Sequence, residues 1–383
     1  MRRTQTPAGR PRKLSIARSC QVQSALSGPG AGERPSPGGF GTPPTPVSFA
    51  LFFTPPVLRC RALSGEPALK RQWYTDPIIF LVFASWALAF VFIKKALGPG
   101  GFSPLAFVWP RMVFSGLVLF LLLPLIGESV RIPRQHLMKT VAVGVVGLGI
   151  YHLLFTIALS MTTPVDTALI IGTGPVMTAL WMPAFRMERP RPRAWVGVVI
   201  CFVTVAVISV TGAFEDSSAS GWNTRRIVAD IVMLVAANCW ALNGILCHKA
   251  LPYLKPMTIT AYGMAWASLL LLPFCLAGLP HQPGLFQQDW SAITPAGWWY
   301  FAYAVIPAST ISIVFFYFGV KSVGPLHTII YQNVSPILTA ITMFLMDGKP
   351  PSVVQVVGMF TIFLGVYLTR TSKGISDVRA ENP

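Results

Sequence analysis

The sequence predicts an all-α polytopic membrane protein in which ten transmembrane helices form two inverted five-helix repeats. Three observations lead to this fold class: a deficit of charged residues, a series of long apolar segments and a motif that occurs twice. Charged residues make up only 11% of the 383 residues, whereas a soluble domain carries about 25%. We therefore expect most of the protein surface to face lipid.

The N-terminal region differs from the rest of the chain. Residues 1–71 carry eleven Lys or Arg against two Glu, and stretches such as 36–45 are rich in Pro and Gly. Residues 1–70 are predicted to be a disordered, basic, Pro-, Gly- and Ser-rich N-terminal extension, because they cannot bury a core. Three interpretations stay open: an organelle transit peptide, a cytoplasmic tail and a mis-called start of the reading frame. The last two are favoured.

Apolar segments of about 18–22 residues recur from Asp76 onward, and each is long enough to cross roughly 30 Å of hydrocarbon. Each must be helical, because lipid offers no hydrogen-bond partner to an open strand edge. The predicted spans are 76–94, 104–126, 139–159, 164–185, 193–212, 227–247, 256–278, 294–318, 324–346 and 352–370.

The basic residues indicate an orientation rather than a nucleic-acid partner. Residues 1–71 account for +9 of the net charge of +17, and the remaining +8 is carried mainly by short loops between the apolar segments. Loops on the side of the N-terminus carry ten Lys or Arg, and loops on the other side carry five. This bias predicts that both termini are cytoplasmic, with residues 371–383 as a tail, in the cell (inner or plasma) membrane.

An internal repeat is the strongest feature of the sequence. Residues 86–97 read WALAFVFIKKAL and residues 240–251 read WALNGILCHKAL, with six identities at a constant offset of 154. Further identities follow at an offset of 161, among them Pro164 with Pro325. These matches indicate a tandem duplication.

The two copies are predicted over residues 76–212 and 227–370. Each holds five helices, and because five is an odd number, the second copy enters the membrane upside down. Inverted repeats are the architecture of alternating-access carriers, whose binding site lies near the midplane between the halves. The expected function is therefore secondary transport of a small organic solute. The chain lacks a GxxxxGK[ST] motif, so ATP binding of that kind is not expected.

The repeated motifs resemble the EamA family of the drug/metabolite transporter superfamily. The resemblance covers about residues 76–370. It rests on the W-A and K-A-L pattern in the first helix of each copy and on small residues around Pro175 and Pro336 in the fourth helices. A third element is Glu188, which Gly197 follows nine residues later.

This resemblance implies ten helices and a central cavity lined by helices 1, 3, 4, 6, 8 and 9. It also implies export or uptake of amino acids, metabolites or drugs. The sequence departs from the pattern at one point, because Lys349 stands in the second copy where the first copy has its glutamate. The departure puts a role for that acidic residue in doubt and leaves the fold assignment intact.

Polar and aromatic side chains within the apolar segments are predicted to line a substrate-binding cavity. The tryptophans begin the repeated motif, and a polar run interrupts the ninth helix. The alternatives are core packing for the aromatic residues and interhelical hydrogen bonds for the polar residues. The predicted cavity residues are Trp86, Trp240, Asn243, Tyr151, Thr173, Tyr331, Gln332 and Asn333.

Asp166 and His327 are predicted to take part in proton coupling. Each follows a helix-starting proline by two residues, so each copy places a titratable group at an equivalent position. A carboxylate and an imidazole could exchange protons during a transport cycle. The alternative is that Asp166 simply stabilises the positive end of its helix.

Other polar residues in the apolar segments are weaker candidates for a role in transport. Arg111 is expected to extend from the second helix to the membrane interface, and His152 is expected to be a satisfied buried histidine. The six cysteines show no CxxC spacing, so neither a disulfide framework nor a zinc site is expected. No catalytic residue, no metal and no cofactor are predicted.

Two other functions are weighed against transport of a small metabolite, amino acid or drug. A nucleotide-sugar or phosphate-ester exchanger would need cationic residues deep in the cavity, and the sequence places none clearly. A membrane-embedded enzyme would need clustered catalytic residues, but the five histidines are scattered. The expected partners are a small-molecule substrate and the lipid bilayer. Coupled protons and a homodimer are left open, and no nucleic-acid partner is expected.

Overall fold

The computed structural model describes residues 68–187, 192–215, 223–280 and 282–371. These residues form ten long helices and contain no β-strand. The helices are α1 (Ala68–Ala96), α2 (Pro104–Leu125), α3 (Arg134–Met161), α4 (Pro164–Phe185), α5 (Pro192–Glu215), α6 (Thr224–Ala250), α7 (Pro256–Ala277), α8 (Pro295–Val323), α9 (Pro325–Asp347) and α10 (Val353–Thr371). Within the described ranges, nine helices are long and apolar enough to cross a membrane, and α10 adds a shorter apolar stretch, Val353–Thr369. The predicted all-α membrane fold is confirmed.

Proline and hydroxyl residues mark the starts of several helices. Six helices (α2, α4, α5, α7, α8 and α9) begin at proline, whose missing N–H is not needed in the first turn. Ser103, Thr163 and Thr294 precede three of these prolines, and each side chain accepts a hydrogen bond from a first-turn amide. The predicted third span, 139–159, was too short. The helix begins at Arg134. Its first turns are polar, and a prediction from hydropathy leaves polar residues out of a membrane span.

Helix packing repeats between the two halves. α1 packs against α8 and α9, and its equivalent α6 packs against α3 and α4. α2 packs against α7, and α5 packs against α10, so these two pairs join equivalent helices. Every one of these contacts crosses from one half to the other.

The two halves run in opposite directions through the bundle. At the end of α1, Lys94 Nζ donates hydrogen bonds of 3.0 Å to the carbonyl oxygens of Leu159 and Ser160, at the end of α3. At the start of α6, Asp230 accepts a 2.7 Å hydrogen bond from Thr162 Oγ1, in the same turn between α3 and α4. The end of α1 and the start of α6 therefore share one end of the bundle, as the inverted repeat predicts.

Irregular backbone occurs at equivalent places in both halves. α3 contains a π-helical segment over Val143–Ile150, and α8 contains one over Ala304–Ile311, at the offset of 161. The α-helical geometry of α4 is interrupted after Ile171, and α9 has a 3-10 turn over Tyr331–Asn333. Because such segments free backbone groups, they are tolerated at membrane depth only where protein or a cavity surrounds them.

Close glycine contacts hold α5 against α10. A Cβ atom at Gly197 would overlap the carbonyl oxygen of Gly365, and one at the equivalent Gly358 would lie 2.7 Å from Ile208 Cδ1. By contrast, the space beside Gly244 in α6 leaves 3.6 Å to the nearest atom, an ordinary contact. The backbones of α5 and α10 therefore approach so closely that only glycine fits at Gly197.

Gly197→Ala is expected to lower the stability of the protein by about 1–3 kcal/mol, because the new methyl group overlaps backbone rather than a movable side chain. Gly244→Ala is the matched control, and it should leave stability unchanged or slightly raised because alanine favours helix. Thermal unfolding of both variants in detergent micelles tests this. Equal melting temperatures for the two variants would contradict the close approach.

Candidate functional site

A narrow cavity lies where the two halves meet. Its lining comes from α1, α2, α3 and α4 of the first half and from α6, α8 and α9 of the second. The centre of a water molecule can occupy about 20 Å³ of this cavity, which is room for about one water, so the lining side chains nearly fill it. The lining residues are Phe83, Trp86, Ala89, Phe90, Ile93, Arg111, Tyr151, His152, Phe155, Ile171, Trp240, Ile313, Gln332 and Ser335.

Aromatic rings from both halves form one wall of the cavity. Trp86 and Trp240, which are equivalent in the repeat, meet edge to face with ring centroids 5.1 Å apart. Tyr151 lies 4.8 Å from Trp240, and Phe316 lies 4.9 Å from Trp240. Trp86 Nε1 donates a 2.8 Å hydrogen bond to the carbonyl oxygen of Ala308, which fixes its ring. This wall suits a ligand with a flat, apolar portion.

Arg111 lies at the cavity and not at the membrane interface, so its expected position was wrong. The residue is only 4% exposed, and its Nε donates a 2.7 Å hydrogen bond to Ser309 Oγ in the π-helical segment of α8. Its Nη1 has no hydrogen-bond partner among the described residues. An arginine can extend to the interface only from a lipid-facing position. Arg111 instead lies on the face of α2 that is turned toward α8.

Two further polar side chains line the cavity. His152 Nδ1 donates a 2.8 Å hydrogen bond to the carbonyl oxygen of Leu148, one turn earlier in α3. The histidine is thus both a satisfied buried residue, as expected, and part of the cavity wall. Gln332 is buried, and its Oε1 has no hydrogen-bond partner among the described residues.

The predicted cavity residues divide into two groups. Trp86, Tyr151, Trp240 and Gln332 line the cavity described above. Asn243, Thr173, Tyr331 and Asn333 do not belong to that lining.

The second group lies close to the same helices. Asn243 is buried and accepts a 2.9 Å hydrogen bond from the hydroxyl of Tyr317. The hydroxyl of Thr173 donates to a carbonyl oxygen of its own helix, at the interruption of α4. Tyr331 and Asn333 begin and end the 3-10 turn of α9. Substrate contact by either group stays a prediction.

Asp166 lies outside the cavity, in a buried polar cluster where α4, α6 and α10 begin. Its carboxylate pairs with Arg226 and accepts hydrogen bonds of 2.8 Å from Gln355 Nε2 and Thr163 Oγ1. Arg226 also donates a 2.9 Å hydrogen bond to the carbonyl oxygen of Gly212, at the end of α5. Two buried charges are thus compensated by each other and by neighbouring polar groups.

His327 lies in an equivalent but more exposed position at the opposite end of the bundle. Its Nε2 is 3.6 Å from Asp76 Oδ1, and the side chains are 29% and 36% exposed. Asp76 precedes Asp230, which accepts the hydrogen bond from Thr162 at the start of α6, by the repeat offset of 154. The Asp166 cluster joins α4 to α6, and the pair of His327 and Asp76 joins α9 to α1. Asp166 and His327 are therefore not brought together.

Sequence reasoning missed part of this arrangement. It counted Arg226 as a loop charge, and it assigned nothing to Asp76, Asp230 or Gln355. One signal was present, because Asp76 and Asp230 are acidic at matching positions of the repeat. Glu188, which contributed to the family resemblance, lies outside the described residues.

The described residues contain no group of three or more His, Cys, Asp or Glu side chains that could hold a metal ion. Cys201, Cys239, Cys247 and Cys275 carry free thiols. The described residues thus form a small cavity between the halves and polar contacts at both ends of the bundle.

One family model and several proteins named as transporters match this chain. The model of the EamA-like transporter family matches residues 73–210 and 227–371, one match for each half. The uncharacterized transporter YyaM of Bacillus subtilis is 26% identical over 279 residues, which cover 70% of this chain and 84% of that protein. An uncharacterized transporter of Archaeoglobus fulgidus is 24% identical over 77% of this chain and 96% of its own length.

A third relative carries a substrate in its name. The S-adenosylmethionine/S-adenosylhomocysteine transporter of Chlamydia muridarum is 30% identical over 207 residues, which cover 52% of this chain and 64% of that protein.

A known crystal structure has the same fold. It superimposes with a TM-score of 0.53 at 17% sequence identity, over 80% of this chain and 98% of its own length. At this identity the likeness concerns the fold alone. The family match, in contrast, covers both halves and all ten helices, and the protein therefore belongs to the EamA-like transporter family.

Proposed function

We propose that this protein is a secondary transporter that moves a small organic metabolite, amino acid or drug across the cell membrane by alternating access. The observation that carries the proposal is the small cavity between the halves, which is lined by side chains of both repeats. In carriers built from inverted repeats, the site lies at this interface, and each half moves against the other to open it.

The first substrates to test are S-adenosylmethionine and S-adenosylhomocysteine. One relative is named as a transporter of both compounds, although it matches only about half of this chain. An adenine ring would pack on the wall formed by Trp86, Tyr151 and Trp240.

Basic residues in the loops support an orientation with both termini in the cytoplasm. In that orientation, the buried Asp166 cluster faces the outside, and the pair of His327 and Asp76 faces the cytoplasm. The direction that we propose is export, because the outer contact is buried and the cytoplasmic contact is half-exposed, which favours loading from the cytoplasm.

The two contacts are proposed to open alternately. Each joins the fourth helix of one half to the first helix of the other, so neither can persist when the halves separate at its own end. Proton coupling through Asp166 and His327 follows from the same arrangement. Protonation of the carboxylate removes its pairing with Arg226, whereas protonation of the imidazole creates the pairing with Asp76.

Trp240→Phe is expected to slow substrate uptake into proteoliposomes by roughly 3- to 10-fold, because the larger indole makes ring contacts worth about 0.5–1.5 kcal/mol. Uptake of radiolabelled S-adenosylmethionine, S-adenosylhomocysteine and a set of amino acids measures this effect. Trp195→Phe in α5 is the matched control, because Trp195 is 53% exposed, and its uptake should equal that of the wild type. Equal uptake by both variants would contradict the proposed cavity, and no uptake of any solute by the wild type would contradict transport.

Asp166→Asn is expected to lower stability by about 3 kcal/mol, because it leaves the guanidinium of Arg226 buried without its carboxylate. His327→Gln should have a smaller effect, because its ion pair is half-exposed. Thermal unfolding compares the two variants. Uptake driven by an imposed pH gradient tests proton coupling. Both variants should abolish this gradient-driven uptake, whereas exchange of substrate across the membrane without a pH gradient should persist. If both variants retained gradient-driven uptake, proton coupling by Asp166 and His327 would be contradicted, and their roles would be structural.

A further inference from the structure

The guanidinium of Arg111 is held on one side and left open on the other. Its Nε donates to Ser309 Oγ, and Ser309 lies in the π-helical segment of the opposite half. The same segment is anchored to α2 by the hydroxyl of Ser115, which donates a 3.1 Å hydrogen bond to the carbonyl oxygen of Val305. Nη1, in contrast, has no partner among the described residues, although the residue is 4% exposed and lines the cavity.

A buried guanidinium without a carboxylate partner costs free energy, because low-dielectric surroundings do not stabilise an isolated charge. No Asp or Glu occurs among the residues that line the cavity. The acidic side chains in ion pairs of the described region have other partners. These pairs are Asp76 with His327, Glu128 with Lys255, Asp166 with Arg226 and Asp347 with Lys95. The compensating anion for Arg111 is therefore expected to come from outside the protein.

We propose that Arg111 binds a carboxylate group of the transported solute, and that the solute also carries a flat ring system. This inference rests on the proposed function, because it assigns a substrate class to the same cavity. A guanidinium can donate two parallel hydrogen bonds to a carboxylate, and with Nε engaged by Ser309, the terminal nitrogens remain for that purpose.

The remainder of the lining supports this class. One arginine and no carboxylate give the wall a single positive charge, which balances a monoanion but not the dianion of a phosphate monoester. Once the halves have moved apart as proposed above, the wall of Trp86, Tyr151 and Trp240 would accept a ring, and the unpartnered Oε1 of Gln332 would accept a hydrogen bond from an N–H group of the solute. A carboxylate-bearing aromatic or heteroaromatic compound satisfies all three features.

Matched acid and amide pairs test the charge requirement at constant size. The probes are phenylacetate with phenylacetamide and L-phenylalanine with L-phenylalaninamide. Isothermal titration calorimetry on the full chain in nanodiscs gives the affinities of the wild type, Arg111→Gln, Arg111→Lys and Lys321→Gln. Lys321 lies exposed at the end of α8, so its variant controls for the loss of one positive charge.

The wild type should bind acids more tightly than the matched amides. Arg111→Gln should weaken acid binding by about 10- to 100-fold and remove this preference, because charge-assisted hydrogen bonds are lost. Arg111→Lys should retain part of the preference, and Lys321→Gln should retain all of it. Without ligand, Arg111→Gln should melt no lower than the wild type, because it removes an uncompensated buried charge.

Three results would overturn the anion site: no acid binds the wild type, acids and amides bind equally, or the preference survives in Arg111→Gln. A lower melting temperature of ligand-free Arg111→Gln together with unchanged acid binding would make Arg111 a structural residue. Uptake of a neutral or cationic solute with no acid preference would refute the anion site and leave the transporter proposal standing. Acid binding that depends on Arg111 without uptake of any solute would refute transport alone.

Discussion

Hydrocarbon offers no hydrogen-bond partner to a peptide group, and the rest of this structure depends on that constraint. It forces the apolar segments into helices and restricts every irregularity to protein-enclosed positions. The π-helical segments Val143–Ile150 and Ala304–Ile311 obey this restriction. In the second segment, Thr310 Oγ1 donates to the carbonyl oxygen of Val305, and Ser312 Oγ donates to that of Pro307. The backbone amide of Ser312 also donates to the carbonyl oxygen of Pro307, so these side chains supply donors in addition to the backbone.

The duplication applies this constraint twice, with opposite orientation. The π-helical segments, the interrupted fourth helices and the glycines of α5 and α10 all recur at the offset of 161. The polar contacts at the two ends join equivalent helices, but they differ in burial and in the residues that form them. Asp166 meets an arginine in a buried cluster, whereas His327 meets Asp76 near the surface. The repeat therefore fixes where contacts form, and the individual side chains decide how firmly each end is held.

Much of the fold could be predicted because hydropathy and repeat spacing are properties of the sequence itself. Less of the site could be predicted, because the position of a residue along a helix does not reveal which neighbour it faces. Arg111 illustrates this: near the start of a helix, it is close to the interface if it faces lipid and part of the cavity if it faces α8. The pairing of Asp166 with Arg226 joins residues 60 positions apart through tertiary packing alone. Trp86 and Trp240 could be identified because their repetition was visible in the sequence.

The unequal burial of the two end contacts has a kinetic consequence. In the proposed transport cycle, separation of Asp166 from Arg226 would expose two charges that are only 1% and 5% accessible, so the activation barrier for opening that end would be the larger one. Dissolved ions screen a buried pair weakly but an exposed pair strongly. Turnover limited by the buried end would therefore change little with ionic strength, while the reorientation at the other end would respond to it. The rate of the slow step of the cycle would thus depend little on the ionic composition of the surrounding solution.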